Sequence, residues 1–415
     1  MKVLVIGGGG REHAIVEALS RSGKVEKIYC APGNAGIGIL AECVPIKDTD
    51  VEGLKAFALR ESIDLTVVGP EAALSAGVAD AFREAGLRIF GHSKAATRIE
   101  SSKEFAKELM ARYDIPTAAY CSFSDYEKAL DYVLSRPFPA VLKYDGLAAG
   151  KGVVIARDPD EARTALASML LDHSFGQGRV VVEDYLEGPE FSFMAFVDGE
   201  RVYPMPLSQD HKRAFDGDEG PNTGGMGAYT GLPFITDEDK EFALHQILEK
   251  AAAGMVTEGC PLCGVLYGGL MKTRDGVKVI EFNARFGDPE TEVVLPLLKS
   301  DISDIFCAVA DGRPAPAPEW SDEVTIGVVL ASKGYPASYQ KGFEIMLPDA
   351  SGNITLFQMG TSVKDGKLVT AGGRVLMPVS KGANLSEARA CVYEYVKQIR
   401  CDNLFYRSDI AHQAL

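Results

Sequence analysis

An acid and an amide alternate near residue 280, in the run Ile280, Glu281, Phe282, Asn283. In a strand, alternate residues face the same side, so Glu281 and Asn283 point together while Phe282 turns to a core. Two hard oxygen donors at that spacing suit magnesium, which takes one or two protein ligands and leaves its other positions to water and phosphate oxygens. Arg285 extends the same face, where a guanidinium can grip a phosphate or a carboxylate. The bland alternative is a polar strand edge. The preceding run GVLYGGLMKT, residues 264–273, carries no acid, so no third protein ligand is visible.

Glycine-rich turns supply the second kind of chemistry. Residues 7–10 are all glycine and stand between an apolar run and a helix-like stretch. A parallel sheet binds phosphate at such a place, on the backbone N–H groups of the helix start. A dinucleotide fingerprint needs glycine where Glu12 stands, and a pyrophosphate would meet that carboxylate. The turn is therefore either an empty tight turn or a site for a small ligand with phosphate and hydroxyl or amine groups, met by Gly9, Arg11 and Glu12. Two more turns, one with Asn34 and one with Pro70 and Glu71, follow the second and third apolar runs in register with the first.

The stretch DGLAAGKG, residues 145–152, looks like a phosphate-binding P-loop but is one residue short between Gly146 and Gly150. Gly152 also replaces the hydroxyl residue that would meet the metal, and the stretch joins two strands instead of a strand and a helix. Such a loop can still close over phosphates as a lid, offering N–H groups and Lys151. Lys143, just before it, has Val141 and Leu142 beside it; alone it reads equally as an exposed strand lysine. Cys260 and Cys263 have no second pair to complete a zinc site, so a structural or incidental role is expected.

These residues need elements to hold them. Residues 1 to about 100 alternate the short runs KVLVIG, KIYCAPG, DLTVVGP and RIFG with helical stretches such as 51–61 and 77–85. That alternation predicts a parallel sheet, with ligands beyond its carboxyl ends. A smaller α/β unit follows, with strands PAVLKY, GVVIA and RVVVEDYL. Its helices begin at Ser124 with Glu127, read as a capping box, and at Asp158 with Pro159 and Glu161. A helix is expected over 237–258, then a hairpin turning at Arg274, Asp275 and Gly276. The proline-rich run 313–318 reads as a boundary or as an excursion between domains, and a β-rich stretch with a helix over 386–400 is expected beyond it.

Length and composition bound the function. At 415 residues the chain exceeds one core, and 46% hydrophobic with 24% charged residues is an ordinary globular balance. A net charge of −15 excludes nucleic acid and anionic membrane as main partners, since no basic surplus exists to neutralise phosphates. Any phosphate must then be held by local lysines, arginines and N–H groups. With no signal-peptide pattern, no spanning run and eight scattered cysteines, a cytoplasmic protein is expected.

Eight motifs in one order carry a resemblance that runs essentially end to end. They are GGREHA at 9–14, APGNAG at 31–36, TVVGPEAAL at 66–74, DGLAAGKGV at 145–153, SQDHKR at 208–213, GPNTGGMGAY at 220–229, IEFNARFGDPET at 280–291 and AGGRVL at 371–376. The chain resembles the phosphoribosylamine–glycine ligase family of ATP-grasp enzymes. The resemblance implies an α/β multidomain fold: an N-terminal parallel α/β substrate domain over 1–102, an ATP-grasp body over 103–320 with a mobile lid at about 121–190, and a small β-rich C-terminal domain over 321–415.

It also implies roles. Lys103 and Lys143 are expected on the nucleotide phosphates, with Gly150, Lys151 and Gly152 in the lid loop above them. Glu183 and Leu186 belong to the hinge that meets adenine, and Glu190 to the ribose. Glu281 and Asn283 match the Mg2+ or Mn2+ pair. The loops around Gly9, Arg11, Glu12, Asn34, Pro70 and Glu71 are expected on 5-phosphoribosylamine. Asp210, Thr223, Gly224, Gly225 and Arg285 are expected around glycine and an acyl phosphate, with Lys143, Arg285 and Asp210 as the catalytic set. The implied reaction joins glycine to 5-phosphoribosylamine at the expense of ATP, in a monomer or homodimer. The chain departs from the family's pattern at Gly8, Tyr144 and His92, of which Gly8 bears on the phosphoribosylamine site. Another ATP-grasp ligase would share the nucleotide motifs but not APGNAG or GPNTGGMGAY. A nucleotide-binding regulator without catalysis has no need to keep Glu281, Asn283, Lys143 and Arg285 together.

Overall fold

The computed structural model describes residues 1–146, 152–172, 174, 176–349 and 352–415. Short apolar runs separated by amphipathic helices build a five-stranded parallel sheet at the start of the chain. Its strands are β1 (Lys2–Gly7), β2 (Lys27–Pro32), β3 (Glu42–Cys43), β4 (Leu65–Val68) and β5 (Ile89–Phe90), in the order β3-β2-β1-β4-β5. Chain order reverses at β1, so the turns after β1, β2 and β4 emerge side by side at one edge. β3 has no counterpart among the expected strands: it is only two residues long and both are exposed, which leaves no apolar signal. The helix Val51–Glu61 has the expected limits, because Asp50 accepts a hydrogen bond from the Gly53 N–H at 3.0 Å and Ser62 closes the helix in the left-handed region.

The next unit is a four-stranded antiparallel sheet, β6 (Tyr120–Phe123), β7 (Ala140–Tyr144), β8 (Val153–Ala156) and β9 (Val180–Asp184), in the order β6-β9-β7-β8. Helices Tyr126–Leu134 and Pro159–Leu170 pack on it around a separate apolar core. Asp158 caps the second helix as expected, accepting from Asp160 and Glu161. The expected Ser124 cap is corrected. The first helix starts one residue later, and the Asp125 carboxylate accepts the Lys128 N–H at 2.9 Å, a stronger acceptor than a hydroxyl at the N-cap.

The largest sheet has 11 strands and forms the body. The long hairpin Cys263–Thr273 and Gly276–Asn283 lies at one end, paired to Glu190–Asp198. The sheet continues through Ser208–Asp210 and Gly227–Thr230 to Val324–Val328 and Arg374–Gly382. It therefore runs unbroken into the last hundred residues. The helix expected over 237–258 is continuous but changes pitch, since Ala243–Leu248 is a π-helical turn between two α-helical stretches. Among the described residues, no helix is long and apolar enough to cross a membrane.

The first sheet is not a detachable module, because its second face shares a core with the body. Phe90 at the end of β5 packs against Phe196, Phe286 and Phe306 of the body, with 4.4 Å between the Phe90 and Phe306 ring centroids. Nearby, His92 is 1% exposed and locked as a clip: its Nδ1 accepts from the Cys263 N–H at 3.0 Å, and Nε2 donates to the Val265 carbonyl at 2.9 Å. Burial pushes its pKa down to about 4, consistent with that neutral tautomer. Phe306→Ala empties the centre of this aromatic contact. It is expected to lose about 3–5 kcal/mol in urea unfolding, and a loss below 1 kcal/mol would show the two units to be independently stable.

Candidate functional site

Between the four-stranded sheet and the body lies an open cleft of about 190 Å³. Its polar wall carries Lys103, Lys107, Lys143, Glu183, Glu281, Asn283 and Arg285, and its apolar wall includes Ile99, Ala106, Met110 and Phe282. Gly152 and Glu71 also line it. Gly150 and Lys151 fall outside the described residues. The other residues singled out in the sequence (Leu186, Glu190, Asp210, Thr223, Gly224, Gly225, Gly9, Arg11, Glu12, Asn34 and Pro70) are not on its wall.

Glu281 and Asn283 reach the cleft from the last turn of the hairpin strand Gly276–Asn283, while Phe282 is 2% exposed in the body core. A register shift opposite Gly269 and Leu270 re-aims this end of the strand. Burial alone would raise the Glu281 pKa, yet Lys212, Lys143, Lys103 and Arg285 together hold it below the ordinary carboxylate value. Three of these cations, Lys103, Lys143 and Arg285, share the cleft wall with the carboxylate. The site is an anion trap with an acid at its centre.

Arg285 fixes the far side. Its guanidinium donates to Asn283 Oδ1 at 3.2 Å and sits 3.3 Å from Glu100 and 3.6 Å from Glu71. Burial favours neutral Glu100, raising its pKa, although its Oε2 accepts the Ala284 N–H at 2.7 Å. Burial opposes ionised Glu71 as well, but there Arg285 and Arg11 prevail and lower the pKa. Glu100 was not apparent in the sequence; it stands alone in an ordinary helical stretch, and only the fold brings it to Arg285.

On the opposite side, Lys143 at the end of β7 is 4% exposed, which removes the exposed-lysine alternative. Its Nζ donates to the Ile280 carbonyl at 2.9 Å and pairs with Glu183 at 2.9 Å. Glu183, on β9, also pairs with Lys107 at 2.8 Å. Lys103 begins the helix Lys103–Arg112, where Ser102 is the N-cap, and its Nζ reaches the Gly146 carbonyl at 3.2 Å.

The three N-terminal turns are stitched to one another. Glu12 Oε2 accepts the Gly9 N–H at 2.6 Å, and its Oε1 pairs with Arg11 at 2.6 Å. The Glu12 side chain runs where a β-carbon on Gly7 or Gly69 would stand, within 2.5 Å and 2.0 Å of it respectively. Arg11 is 7% exposed and donates to the Phe286 carbonyl at 3.2 Å. Asn34 Nδ2 donates to the carbonyls of Gly8, Gln358 and Met359, and its Oδ1 accepts from Ile37. At Gly8 a β-carbon would lie 2.6 Å from the Gly33 carbonyl oxygen, so the departure at this position matches a close approach of two backbones.

Behind the cleft lies a second polar group. Lys212 pairs with Glu190 at 2.5 Å, and Asp210 stands on the same short stretch. Burial, opposed by Lys212, pushes the Asp210 pKa up to about 7. The Thr223–Gly225 turn is held from the C-terminal part: the Gly224 N–H donates to Tyr335 Oη at 2.9 Å, and Arg374 donates to the Gly224 carbonyl at 2.6 Å. Arg374 also pairs with Asp288 at 2.8 Å. Arg374 lies in the AGGRVL motif, which marked the segment without giving the arginine a task.

Glu292, one helical turn beyond Asp288, is 0% exposed, and neither carboxyl oxygen has a hydrogen-bond partner among the described residues. Burial first, and then the Asp288 charge, raise its pKa well above the ordinary value. A raised acid favours the folded state at low pH and disfavours it progressively as pH rises past the unfolded pKa. Glu292→Gln is therefore expected to melt above the parent at pH 8, with the difference shrinking toward pH 4.5. Scanning calorimetry across that range checks it, and a pH-independent difference would contradict a neutral Glu292.

Comparison with known proteins gives a consistent result along the chain. Three phosphoribosylglycinamide synthetase family models match: the N domain over residues 1–100, the ATP-grasp (A) domain over 101–291 and the C domain over 325–413. The phosphoribosylamine–glycine ligase of Halalkalibacterium halodurans is 51% identical, with 100% of this chain and 97% of that protein aligned. That of Caldanaerobacter subterraneus is 50% identical over 99% of each. The crystal structure of phosphoribosylamine–glycine ligase from Thermotoga maritima superposes with a TM-score of 0.87 at 33% identity, covering 99% of this chain and 100% of that one. A biotin carboxylase domain from Hydrogenobacter thermophilus, in complex with MgADP and bicarbonate, has a TM-score of 0.76 at 18% identity over 98% and 91%. That last likeness is one of fold alone.

Proposed function

The chain belongs to the phosphoribosylglycinamide synthetase family, and from that membership we propose that it uses ATP to join glycine to 5-phosphoribosylamine, forming glycinamide ribonucleotide for purine synthesis. The observation that carries this reading is the cleft wall that sets Lys103, Lys143 and Arg285 beside Glu281 and Asn283. Few ligands other than a polyphosphate with a cation call for that arrangement.

A carboxylate does not acylate an amine at neutral pH, because it lacks a leaving group. In the first step a glycine carboxylate oxygen attacks the γ-phosphorus of ATP, the bond to ADP breaks, and glycyl phosphate forms. In the second, the amine of 5-phosphoribosylamine attacks the acyl carbon, phosphate leaves with the bonding pair, and the amine gives up a proton. The side chains contribute position and charge balance. Lys103 and Lys143 neutralise the nucleotide phosphates, and Arg285 draws charge from the transferring group. The sheet β6–β9 is the lid, with Gly150, Lys151 and Gly152 in its loop. Glu183 and Leu186 mark the adenine end and Glu190 the ribose. Asp210, with the turn Thr223, Gly224 and Gly225, borders glycine.

The loops carrying Gly9, Glu12, Pro70 and Glu71 border 5-phosphoribosylamine. Asn34 serves that site by shaping its loops, since its side chain is bonded to backbone of Gly8, Gln358 and Ile37, and Arg11, anchored by Glu12 and Phe286, borders the same site with further N–H groups. Glu281 and Asn283 are hard oxygen donors on the cleft wall and fit a Mg2+ or Mn2+ ion, which would neutralise charge on the phosphate oxygens. All eight cysteines are free thiols, in keeping with a cytoplasmic enzyme.

The test is ADP release that requires both glycine and 5-phosphoribosylamine. Release indifferent to either substrate would overturn the reading. Glu281→Gln keeps the volume but removes the charge. It is expected to cut turnover roughly 100-fold or more, the equivalent of several kcal/mol of lost charge stabilisation, with an unchanged circular dichroism spectrum. Near-parental turnover at saturating magnesium would sink the metal assignment.

A further inference from the structure

A lysine that no motif singled out lies deepest in the polar wall of the cleft. Lys107 is 2% exposed, one turn along the same helix from Lys103. Its Nζ lies 2.8 Å from Glu183 and donates to Thr117 Oγ1 at 2.7 Å, and Thr117 in turn donates to the Val279 carbonyl at 2.8 Å. The other oxygen of Glu183 pairs with Lys143 at 2.9 Å. Three buried ionic groups from three elements thus form a line, Lys107–Glu183–Lys143, and all three border the cleft.

We propose that Lys107 is a positioning residue for the nucleotide phosphates: it satisfies Glu183, so that Lys143 keeps a net positive charge toward the cleft. The role rests on the nucleotide reading of the cleft given above. Charge counting shows why it is needed. Lys143 and Glu183 alone form a neutral pair, whose carboxylate would turn fully on the only nearby ammonium and repel an approaching phosphate. With Lys107 the triad carries one net positive charge, and the Glu183 carboxylate is shared between two ammonium groups. A purely structural clip needs no second lysine, because a buried ion pair is already complete with one. The hydrogen bond to Thr117 also holds Lys107 against the body edge at Val279, so the charge is fixed relative to Lys143 and Ile280.

Other charged and titratable groups surround Lys107. Tyr120 on β6 presents its ring 5.7 Å from Nζ, Lys103 stands one turn back on its own helix, and Glu281 and Arg285 line the same cleft. Burial is the main influence that pushes its pKa down, to about 8, with Lys143 adding to the fall and Glu183 opposing it. A phosphate bound nearby favours its charged form, so the bound-state pKa is higher than the free one. Nucleotide affinity must then be full below about pH 8 and decline as pH rises beyond it.

The experiment is calorimetric titration with Mg-ADP on the full chain and two variants, with circular dichroism confirming the fold. For the parent, affinity is expected to fall severalfold between about pH 7.5 and 9.5. Lys107→Met is expected to bind roughly 10-fold or more weakly at pH 7, with little further change up to pH 9.5. Lys107→Arg stays charged throughout, so it is expected to recover much of the affinity and to lack the alkaline decline. Parental affinity in folded Lys107→Met, or an undiminished decline in Lys107→Arg, overturns the role of Lys107 alone. A parent that binds no Mg-ADP overturns the nucleotide reading together with it.

Discussion

A guanidinium cannot be buried without anions, and that requirement at Arg285 organises the cleft. Its carboxylate partners come from different parts of the chain: Glu71 follows β4 of the first sheet, and Glu100 lies in the short helix Arg98–Ser101 after β5. Satisfying Arg285 therefore fixes where the first sheet sits against the body. The same guanidinium donates to Asn283, which sets one candidate metal donor, while its charge helps keep the other, Glu281, ionised. Removing water from the cleft strengthens each of these terms. Loss of either acid would leave this partly buried guanidinium with a single carboxylate partner.

Much of this was legible in the sequence, and the limits of legibility are physical. Strand alternation announced the parallel sheet because β1, β2, β4 and β5 are largely buried and end at glycine or proline, whereas the exposed β3 gave no signal. Glu281 and Asn283 were legible as neighbours because their spacing encodes a shared face, while Lys103 and Lys143 came from the family resemblance; all four line one cleft. Lys107, Glu100 and Arg374 were not, since their meaning comes from partners 76, 185 and 86 positions away: Glu183, Arg285 and Asp288. Nothing local distinguishes such residues from solvent-facing charges on a helix or strand. Arg11 and Asn34 illustrate the reverse case. Their types and positions suggested ligand contacts, and the fold also uses them to join loops: Asn34 bonds Gly8 and Gln358, and Arg11 bonds Phe286. Position in a glycine-rich turn identifies a site more readily than it identifies which side chain faces the ligand.

The N-terminal loops also show why small residues recur where chemistry is expected. Gly7 and Gly69 leave the volume that the Glu12 side chain occupies, so one carboxylate can close the first turn and brace the third. The glycines here serve packing as much as backbone freedom. Gly7 needs both, having a φ of 122°.

The sheet that crosses from the body into the last hundred residues has a consequence for how such a protein can evolve. Gly227–Thr230 pairs directly with Val324–Val328, and Tyr335 and Arg374 from the last part of the chain bond the Gly224 turn. A domain joined by a linker can be exchanged between proteins as a cassette. One joined through a shared sheet cannot, because cutting it exposes two strand edges with unpaired N–H and C=O groups, a template for aggregation. Inheritance of the two parts is thereby tied together: changes at the seam must be matched on both strands, and recombination within it is penalised by insolubility before any effect on the chemistry is felt.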